Sequence, residues 1–238
     1  MRGMLPGKRT QSWHKVTVSE VVKTIAKRYG LTPKIADALG GIRIGHIDQT
    51  DESDLNFLTR LGERYDAIAA VKNGMVLFSH AGMSLTVSGS PLPLILLTRR
   101  DGDTHRYAQT DRDSYSGVKA YWNDVSGGKR QIAIVGSGDN AKQLRPTYAS
   151  QADALQAAKA EWERIKRGIA EFEITLAQGR ADVMPESPLH TLGFKAEIDV
   201  TDWVVTEVMH ALSDSGYVTQ AKCETNNAKG YSAEYTIK

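Results

Sequence analysis

Cysteine is almost absent from this 238-residue sequence, in which Cys223 is the only one. A single cysteine excludes an intramolecular disulfide and any cysteine-rich metal site. It is also typical of a protein that folds in a reducing cytoplasm, where thiols stay reduced. Cys223 has no evident histidine partner in the sequence, so a cysteine nucleophile is not predicted.

Long apolar runs are missing as well. Runs such as Leu94–Leu97 are far shorter than the about 20 residues that a membrane-spanning helix needs. Residues 1–13 lack the apolar segment of a signal peptide. We therefore expect a soluble protein with no membrane partner and no classical export signal.

Charge of one sign is not in excess. The sequence holds 30 Lys and Arg against 28 Asp and Glu, a net charge of +2 at pH 7, and the basic residues are scattered among acids. Such a balance lacks the basic stripe of a nucleic-acid binder. Aromatic residues make up only 7%, and the tryptophans lie in apolar patterns typical of a core or an interface, not of a base-stacking platform. They are Trp13, Trp122, Trp162 and Trp203.

Recognisable catalytic and metal-binding motifs are also lacking. The histidines occur singly, with no HExxH pair and no metal-ligand spacing to Cys223. The glycine-rich stretch Gly136–Asn140 has no Lys-Ser/Thr after its glycines, so it predicts a turn and not a phosphate loop. No GxSxG elbow is present. The six histidines are His14, His46, His80, His105, His190 and His210.

Three neighbouring acids, Asp51, Glu52 and Asp54, are the remaining candidates for chemistry. Glycoside hydrolysis needs two carboxyl groups about 5–9.5 Å apart. These acids come at a predicted helix start, where the helix dipole already favours negative charge. The sequence therefore predicts no catalytic, cofactor-binding or metal-ligating residue, and no enzyme.

Residues 1–90 are predicted to form a small α+β domain of two helices and a hairpin. After a polar lead-in over residues 1–15, Thr17 and Glu20 form a capping box that starts the first helix. Asn73–Gly74 predicts a type I′ turn between two short strands. In the second helix the predicted buried stripe is Leu55, Leu58, Leu61 and Tyr65, with Phe57 on a flank.

Residues 91–238 are predicted to form a β-rich domain. Strands are expected over residues 104–135, followed by one long helix at about 150–167 that Ser150 and Asp153 begin. Alternation in Ala170–Ala177 then predicts another strand, with Phe172, Ile174 and Leu176 facing inward. The predicted inner face of the long helix is Leu155, Ala158, Trp162 and Ile165.

The stretch Gly193–Glu224 is predicted to be an antiparallel meander of three strands. Apolar and polar residues alternate over Phe194–Val200 and again over Tyr217–Cys223, and a turn at Ser213–Gly216 separates the last two strands. The run Val204–Leu212 also matches a helical stripe, but its β-branched residues favour a strand. The pattern alone indicates a β-barrel or a sandwich.

Two separated segments resemble one family, the bacteriophage late control D proteins. The first, HIDQTDESDLNFLTRLGERYDAIAAVKNGMVLF at His46–Phe78, carries Gln49, Glu52-Ser53-Asp54 and Phe57-Leu58. The second, AAKAEWERIKRGIAEFEITLAQGRADVMPESP followed by WVVTEVMHALSDSGYVT, is similar to the barrel region of that family. The VgrG spike proteins of type VI secretion share the ESD-x-x-FL helix and the V-x-x-V-x-H strand more loosely.

The resemblance implies an α+β, mainly β fold: a tube-like antiparallel β-barrel with a packed long helix, plus a small helical α+β insert domain. It implies a structural hub in the baseplate of a contractile tail, located in the virion tail and assembled in the bacterial cytoplasm. The expected partners are two further copies in a trimeric ring, a tail spike protein, and a tail tube or adjoining baseplate protein. No cofactor is implied. Family members usually carry an N-terminal barrel portion upstream, so we expect a fragment or a short form.

Two other functions are alternatives at this point. A baseplate-associated enzyme that degrades peptidoglycan would need a carboxylate pair in a cleft, with Glu52 as a candidate. A nucleic-acid-binding regulator would bind with an affinity that falls steeply with salt, because each neutralised phosphate releases a counterion.

Overall fold

The computed structural model describes residues 7–109, 115–124, 127–214 and 216–226. Contacts between Cα atoms group them into two compact units. Unit 1 takes the described residues up to Ala81, residues 87–89 and those from Tyr115 to Glu163. Unit 2 takes residues 82–86, the described residues from Ser90 to Gln109, and those from Arg164 on. The chain is mainly β, as predicted; the domain boundary near residue 90 stays a prediction.

Helix α1 of unit 1, Val18–Arg28, begins where the sequence predicts. The Thr17 hydroxyl accepts a hydrogen bond from the Glu20 backbone N–H at 3.2 Å, and the Glu20 carboxylate accepts one from the Thr17 N–H at 2.6 Å. Both orphan donors are thus satisfied, which fixes the helix start. The buried face consists of Val18, Val21, Val22, Ile25 and Ala26.

Helix α3, Asp54–Tyr65, is capped by Ser53, whose hydroxyl accepts a hydrogen bond from the Asn56 N–H at 3.2 Å. Its buried face is rotated slightly from the predicted one: Phe57 is fully buried, whereas Leu55 is only partly buried. Phe57 stacks against Trp13, with 6.0 Å between ring centroids. The sequence pattern of the helix could not reveal this partner, because Trp13 lies in a segment predicted to be a polar lead-in.

The described part of that lead-in forms a strand, which the sequence did not predict. Strand β1, Lys8–Thr17, pairs antiparallel with β3, Arg43–Ser53, in a two-stranded ribbon. A polar strand with one buried residue near its centre, Trp13, shows no alternation that sequence reasoning could detect. The short helix α2, Asp37–Gly40, precedes β3.

Unit 1 contains two further three-stranded sheets. In the first, Asn73 and Gly74 have φ values of 50° and 73°, so the predicted type I′ hairpin is confirmed. Its strands are β2 (Thr32–Ile35), β4 (Ala67–Lys72) and β5 (Met75–His80). The second sheet consists of β8 (Gly117–Asp124), β9 (Lys129–Gly136) and β10 (Ala141–Tyr148).

The long helix α4, Gln151–Arg167, follows β10 and confirms the predicted helix. Of the residues predicted to face inward, Ala158 and Ile165 are buried, whereas Leu155 is exposed. Ala154 and Ala157 are also buried, so alanine forms more of the inner face than a pattern that weighs large apolar side chains predicts.

Gly62 in α3 marks a close approach to the next strand. A Cβ atom added there would lie 2.4 Å from the Ala67 carbonyl oxygen. Gly62→Ala is therefore expected to lower the free energy of unfolding by about 1–3 kcal/mol through overpacking, although alanine is intrinsically the better helix former by about 1 kcal/mol. Urea titration measures this loss. Gly41→Ala, where an added Cβ meets nothing within 4 Å, is the control and should leave stability nearly unchanged.

Unit 2 is built on one six-stranded sheet in the order β6-β12-β13-β14-β11-β7. The strand predicted over Ala170–Ala177 is confirmed as Ala170–Leu176, and β13 resolves the open choice at Val204–Leu212 in favour of a strand. The strands are β6 (Ile95–Thr98), β7 (Gly102–Gln109), β11 (Ala170–Leu176), β12 (Pro188–Leu192), β13 (Trp203–Ser213) and β14 (Gly216–Thr225).

The connection between β6 and β7 forces this sheet to curl. The two strands lie at opposite edges, about 24 Å apart if the sheet were flat. Only Arg99–Asp101 joins them, and four Cα steps span at most about 14 Å. Arg99 N–H donates to the Leu192 carbonyl at 2.9 Å, and Ala177 N–H donates to the Asp101 carbonyl at 2.8 Å. The connection therefore bridges the ends of β12 and β11 in a curled sheet.

The strand predicted over Phe194–Val200 is wrong. Ala196–Asp199 form the short helix α5, in which only Ile198 is buried and Val200 beyond it is exposed. The Asp199 carboxylate accepts hydrogen bonds from the N–H groups of Gly193 at 2.8 Å and Phe194 at 3.0 Å. These local bonds compete with a strand ladder. The predicted three-strand meander is thus the β13–β14 hairpin, with β11 on the other side of β14.

Cys223 lies in the core of unit 2 and is only 2% exposed. Burial in apolar surroundings raises the pKa of its thiol, so the reactive thiolate is disfavoured. We expect a thiol-specific reagent to leave Cys223 unmodified in the native protein and to modify it fully in urea. A Val200→Cys variant is the positive control because Val200 is 80% exposed. Rapid labelling of native wild-type protein would contradict this packing.

Candidate assembly site

The segment Glu52-Ser53-Asp54 has three separate structural roles. The Arg60 guanidinium donates to both Glu52 carboxylate oxygens, at 3.1 and 2.7 Å, and the Asn56 amide donates to one of them at 2.6 Å. Ser53 caps α3, and Asp54 points into the unit. The helix dipole was predicted to favour the acids at this helix start, and this applies directly to Asp54, which occupies the first turn of α3.

Asp54 is fully buried and binds four side chains. One carboxylate oxygen accepts hydrogen bonds from Arg28 and Gln49, each at 2.8 Å. The other accepts one from Arg9 at 3.2 Å and one from the Tyr29 hydroxyl at 2.8 Å. These donors come from β1, α1, the residue after α1, and β3. The Asp54 cluster, defined as these five residues, therefore ties β1, the end of α1 and β3 to helix α3.

The electrostatics of the cluster favour the ionised form of Asp54. Burial opposes ionisation, but the hydrogen bonds from Gln49, Tyr29 and Arg28 outweigh it and hold the pKa of Asp54 below its ordinary value of 3.8. Both oxygens of this carboxylate already accept two hydrogen bonds each, so neither is available to take a proton from a substrate. Asp54 is thus a packing residue, and the motif that carried the family resemblance is a structural one.

The outward face of the unit 2 sheet carries a row of alternating charges. Arg106, Glu173, Lys222 and Glu207 lie opposite one another on β7, β11, β14 and β13. Lys222 Nζ lies 3.0 Å from Glu207, and the Gln220 amide donates to Glu173 at 2.7 Å. A cavity of about 290 Å³ lies over this row. Opposite charges on neighbouring strands stabilise a solvated sheet face.

The end of the β13–β14 hairpin extends beyond the neighbouring strands. The pairing of β11 with β14 ends at Thr219, and that of β12 with β13 ends at Val204. Residues 211–214 and 216–218, here called the hairpin arm, therefore form strand pairs only with each other among the described residues, and Gly179 N–H donates to the Tyr217 carbonyl of the arm at 2.9 Å. Leu212 in the arm is 84% exposed, and Met209 at its base is 55% exposed.

The remaining candidates from the sequence are dispersed. His210 is paired within the sheet: its Nδ1 lies 3.0 Å from the Thr219 hydroxyl and 2.9 Å from that of Tyr217. Gly136 ends β9 with a φ of 80°, so the stretch Gly136–Asn140 is a turn, as predicted. Asp51 is exposed and pairs with Lys8 at 2.9 Å.

One pairing was not predicted from the sequence. His14 on β1 and His46 on β3 lie directly opposite each other, with their Nδ1 atoms 3.0 Å apart. The two histidines are 32 positions apart in the sequence with no spacing signal, and β1 was not predicted as a strand. Within the described part of the chain, no helix has both the length and the apolar composition that a membrane span requires.

Residues 5–216 match the family model of the phage tail baseplate hub (GPD). A probable baseplate hub protein of Escherichia phage 186 is 40% identical over 264 residues, which cover 94% of this chain and 68% of that protein. The fold and these matches define a structural protein of a phage tail. The chain belongs to the phage tail baseplate hub (GPD) family, and it is therefore a component of the virion tail.

Two solved structures share the fold. A tail protein from Neisseria meningitidis MC58 superposes with a TM-score of 0.69 at 13% identity, over 94% of this chain and 72% of that one. An E. coli component of the type VI secretion system superposes with a TM-score of 0.56 at 14% identity, over 93% of this chain and 52% of that one. The same fold thus extends to type VI secretion, as the resemblance to VgrG spike proteins implies.

Proposed function

We propose that the chain is a hub subunit that acts by assembly, and that three copies form a ring joining the tail tube to the central spike. The observation that carries this proposal is the family match over residues 5–216. Sheet geometry, exposed surfaces and the state of the acidic residues add independent support.

The curled sheet of unit 2 supports a tube-like barrel. Its edge strands β6 and β7 are brought together at Arg99–Asp101, so closure needs no large rearrangement. Arg180, in the loop after β11, donates to the Leu96 carbonyl of β6 at 3.0 Å, and its backbone N–H donates to the Thr219 hydroxyl at 2.9 Å. This arginine links the β6 edge to β14 and holds the curl.

The hairpin arm supports contact between copies. A two-stranded hairpin is at best marginally stable alone in water, and the arm exposes Leu212 almost completely. A three-fold ring requires a heterologous interface, in which one surface of each subunit meets a different surface of the next. We assign the arm to one side of that interface. An arm docked on a neighbouring copy gains both apolar burial and rigidity.

A role without catalysis is supported by the acids. Both Glu52 carboxylate oxygens accept hydrogen bonds, and Asp54 is buried and saturated, so both acids have structural partners. Asp54 is therefore not accessible as one of the two carboxyl groups that the peptidoglycan-degrading alternative needs. Glu52→Gln is expected to change the stability of unit 1. It is not expected to abolish a peptidoglycan-degrading activity.

Light scattering on the purified full chain tests the proposal. A concentration series is expected to converge on about three times the chain mass of 26.1 kDa. Addition of the spike protein of the same tail should shift the equilibrium toward this species. A mass of 26.1 kDa at every concentration, with and without the spike, would contradict the trimer.

A further inference from the structure

His14 and His46 form an exposed cross-strand pair on the β1–β3 ribbon. They occupy directly opposite positions, and their Nδ1 atoms are 3.0 Å apart. Opposite residues of an antiparallel pair are the closest side chains that a sheet offers. The two ring nitrogens that face each other are thus positioned by backbone pairing and do not depend on flexible loops.

Asp48 orients one ring of the pair. Its carboxylate lies 2.9 Å from His46 Nε2, the nitrogen that faces away from His14. Since a carboxylate accepts, Nε2 carries the proton that it donates, and the neutral ring keeps a lone pair on Nδ1. A carboxylate on the outer nitrogen is one of the arrangements that orient histidines bound to metals.

The two nitrogens are close enough to share one ion. With metal–nitrogen bonds of about 2.1 Å, two nitrogens on one ion lie about 3.0 Å apart at an angle of 90° and about 3.4 Å apart at a tetrahedral angle, so a small turn of the rings from the observed 3.0 Å reaches this range. Imidazole nitrogens suit Ni²⁺ and Cu²⁺, which stand high in the order of affinities of divalent metals for such ligands.

We propose that His14 and His46 bind a Ni²⁺ or Cu²⁺ ion between their Nδ1 atoms, with water in the other positions. The rings are stacked, with centroids 4.5 Å apart and planes tilted by 24°, so each must turn for its lone pair to meet the ion. Both side chains are exposed, which leaves room for that rotation. Within the described residues no three His, Cys, Asp or Glu side chains gather at a metal site, so water completes the coordination. The bound ion would join β1 to β3.

Calorimetric titration of the untagged full chain with NiCl₂ tests the site. One ion per chain is expected, together with a rise in Tm that EDTA reverses, because a ligand that binds the native state stabilises it. His14→Gln and His46→Gln should each remove both signals, and Asp48→Ala should weaken binding about tenfold. MgCl₂ should produce neither signal.

His190→Gln is the matched control. His190 is similarly exposed and lies 3.8 Å from the Asp202 carboxylate, but it has no histidine opposite it on the sheet. This variant should bind Ni²⁺ like the wild type. Absence of Ni²⁺ binding, or equal binding by the wild type and both pair variants, would overturn the proposal. Circular dichroism of each variant separates loss of the site from loss of the fold, and Asp48→Ala, which keeps both ligands, remains informative if a histidine variant is unfolded.

Discussion

Replacing Asp54 with asparagine is expected to lower the free energy of unfolding by about 3 kcal/mol at pH 7. The substitution keeps the shape of the side chain but removes the charge that Arg9 and Arg28 neutralise. It also puts an amide donor where an oxygen accepted hydrogen bonds. Breaking a buried ion pair costs more than the pair itself contributes, because the partner cation is left uncompensated. Urea unfolding followed by tryptophan fluorescence measures the loss.

The pH dependence of this loss provides a second check. The pKa of Asp54 is lowered in the folded state, so its stabilising contribution is complete above the unfolded value of 3.8 and is lost as the pH falls through the folded pKa. The difference in the free energy of unfolding between wild type and Asp54→Asn should therefore be constant near neutral pH. It should shrink at acidic pH. Asp51→Asn is the control, because the Asp51 side chain is 73% exposed. The free energy of unfolding of this variant should equal that of the wild type within experimental error at every pH.

Replacing Leu212 with lysine is expected to weaken self-association roughly 10- to 100-fold without altering the fold of the subunit. Leu212 is 84% exposed, so the isolated chain loses almost no packing. In the proposed ring the same residue is buried against a neighbouring copy, and a charge there would be desolvated without a partner. The midpoint of the concentration series in light scattering measures the effect, and Tm verifies that the subunit is intact.

Val200→Lys is the matched control for the hairpin arm. Val200 lies in the same unit, is 80% exposed, and follows α5, outside the β13–β14 hairpin. It should associate like the wild type. Equal weakening by Val200→Lys and Leu212→Lys would show that added charge alone opposes association. No weakening by Leu212→Lys would place the interface elsewhere.

Much of the fold could be predicted because its signals are local. The capping box at Thr17 and Glu20, the Asn73–Gly74 turn and the alternation in Ala170–Leu176 each lie within a few residues of the structure they specify. The β-branched run Val204–Val208 likewise favoured a strand over the helical stripe, correctly. Interactions between residues close in the chain can be predicted from a single sequence.

The failures concern long-range partners. Strand β1 is polar and takes its structure from pairing with residues of β3 that are 26 to 45 positions away, so its own pattern gives no signal. Helix α5 replaces a predicted strand because the Asp199 carboxylate caps N–H groups five and six residues earlier. The His14–His46 pair was missed for the same reason as β1. The alternation of apolar and polar residues does not indicate which of the competing hydrogen bonds forms.

The family was identified through residues that turned out to be structural. Glu52 binds Arg60 within unit 1, and Ser53 caps α3. Asp54 is the centre of the Asp54 cluster. These roles restrict the residue types sharply, which explains why a short motif could carry the resemblance. The surfaces that we assign to assembly, in contrast, follow no motif and became visible only in the folded chain.

A cryo-EM reconstruction of tail particles assembled with this chain tests the central claim most directly. We predict three copies in a ring at the junction of tube and spike, each with its hairpin arm against the next copy. Particles that lack density for the chain at that junction, with the protein left in the soluble fraction of the host, would contradict a hub role.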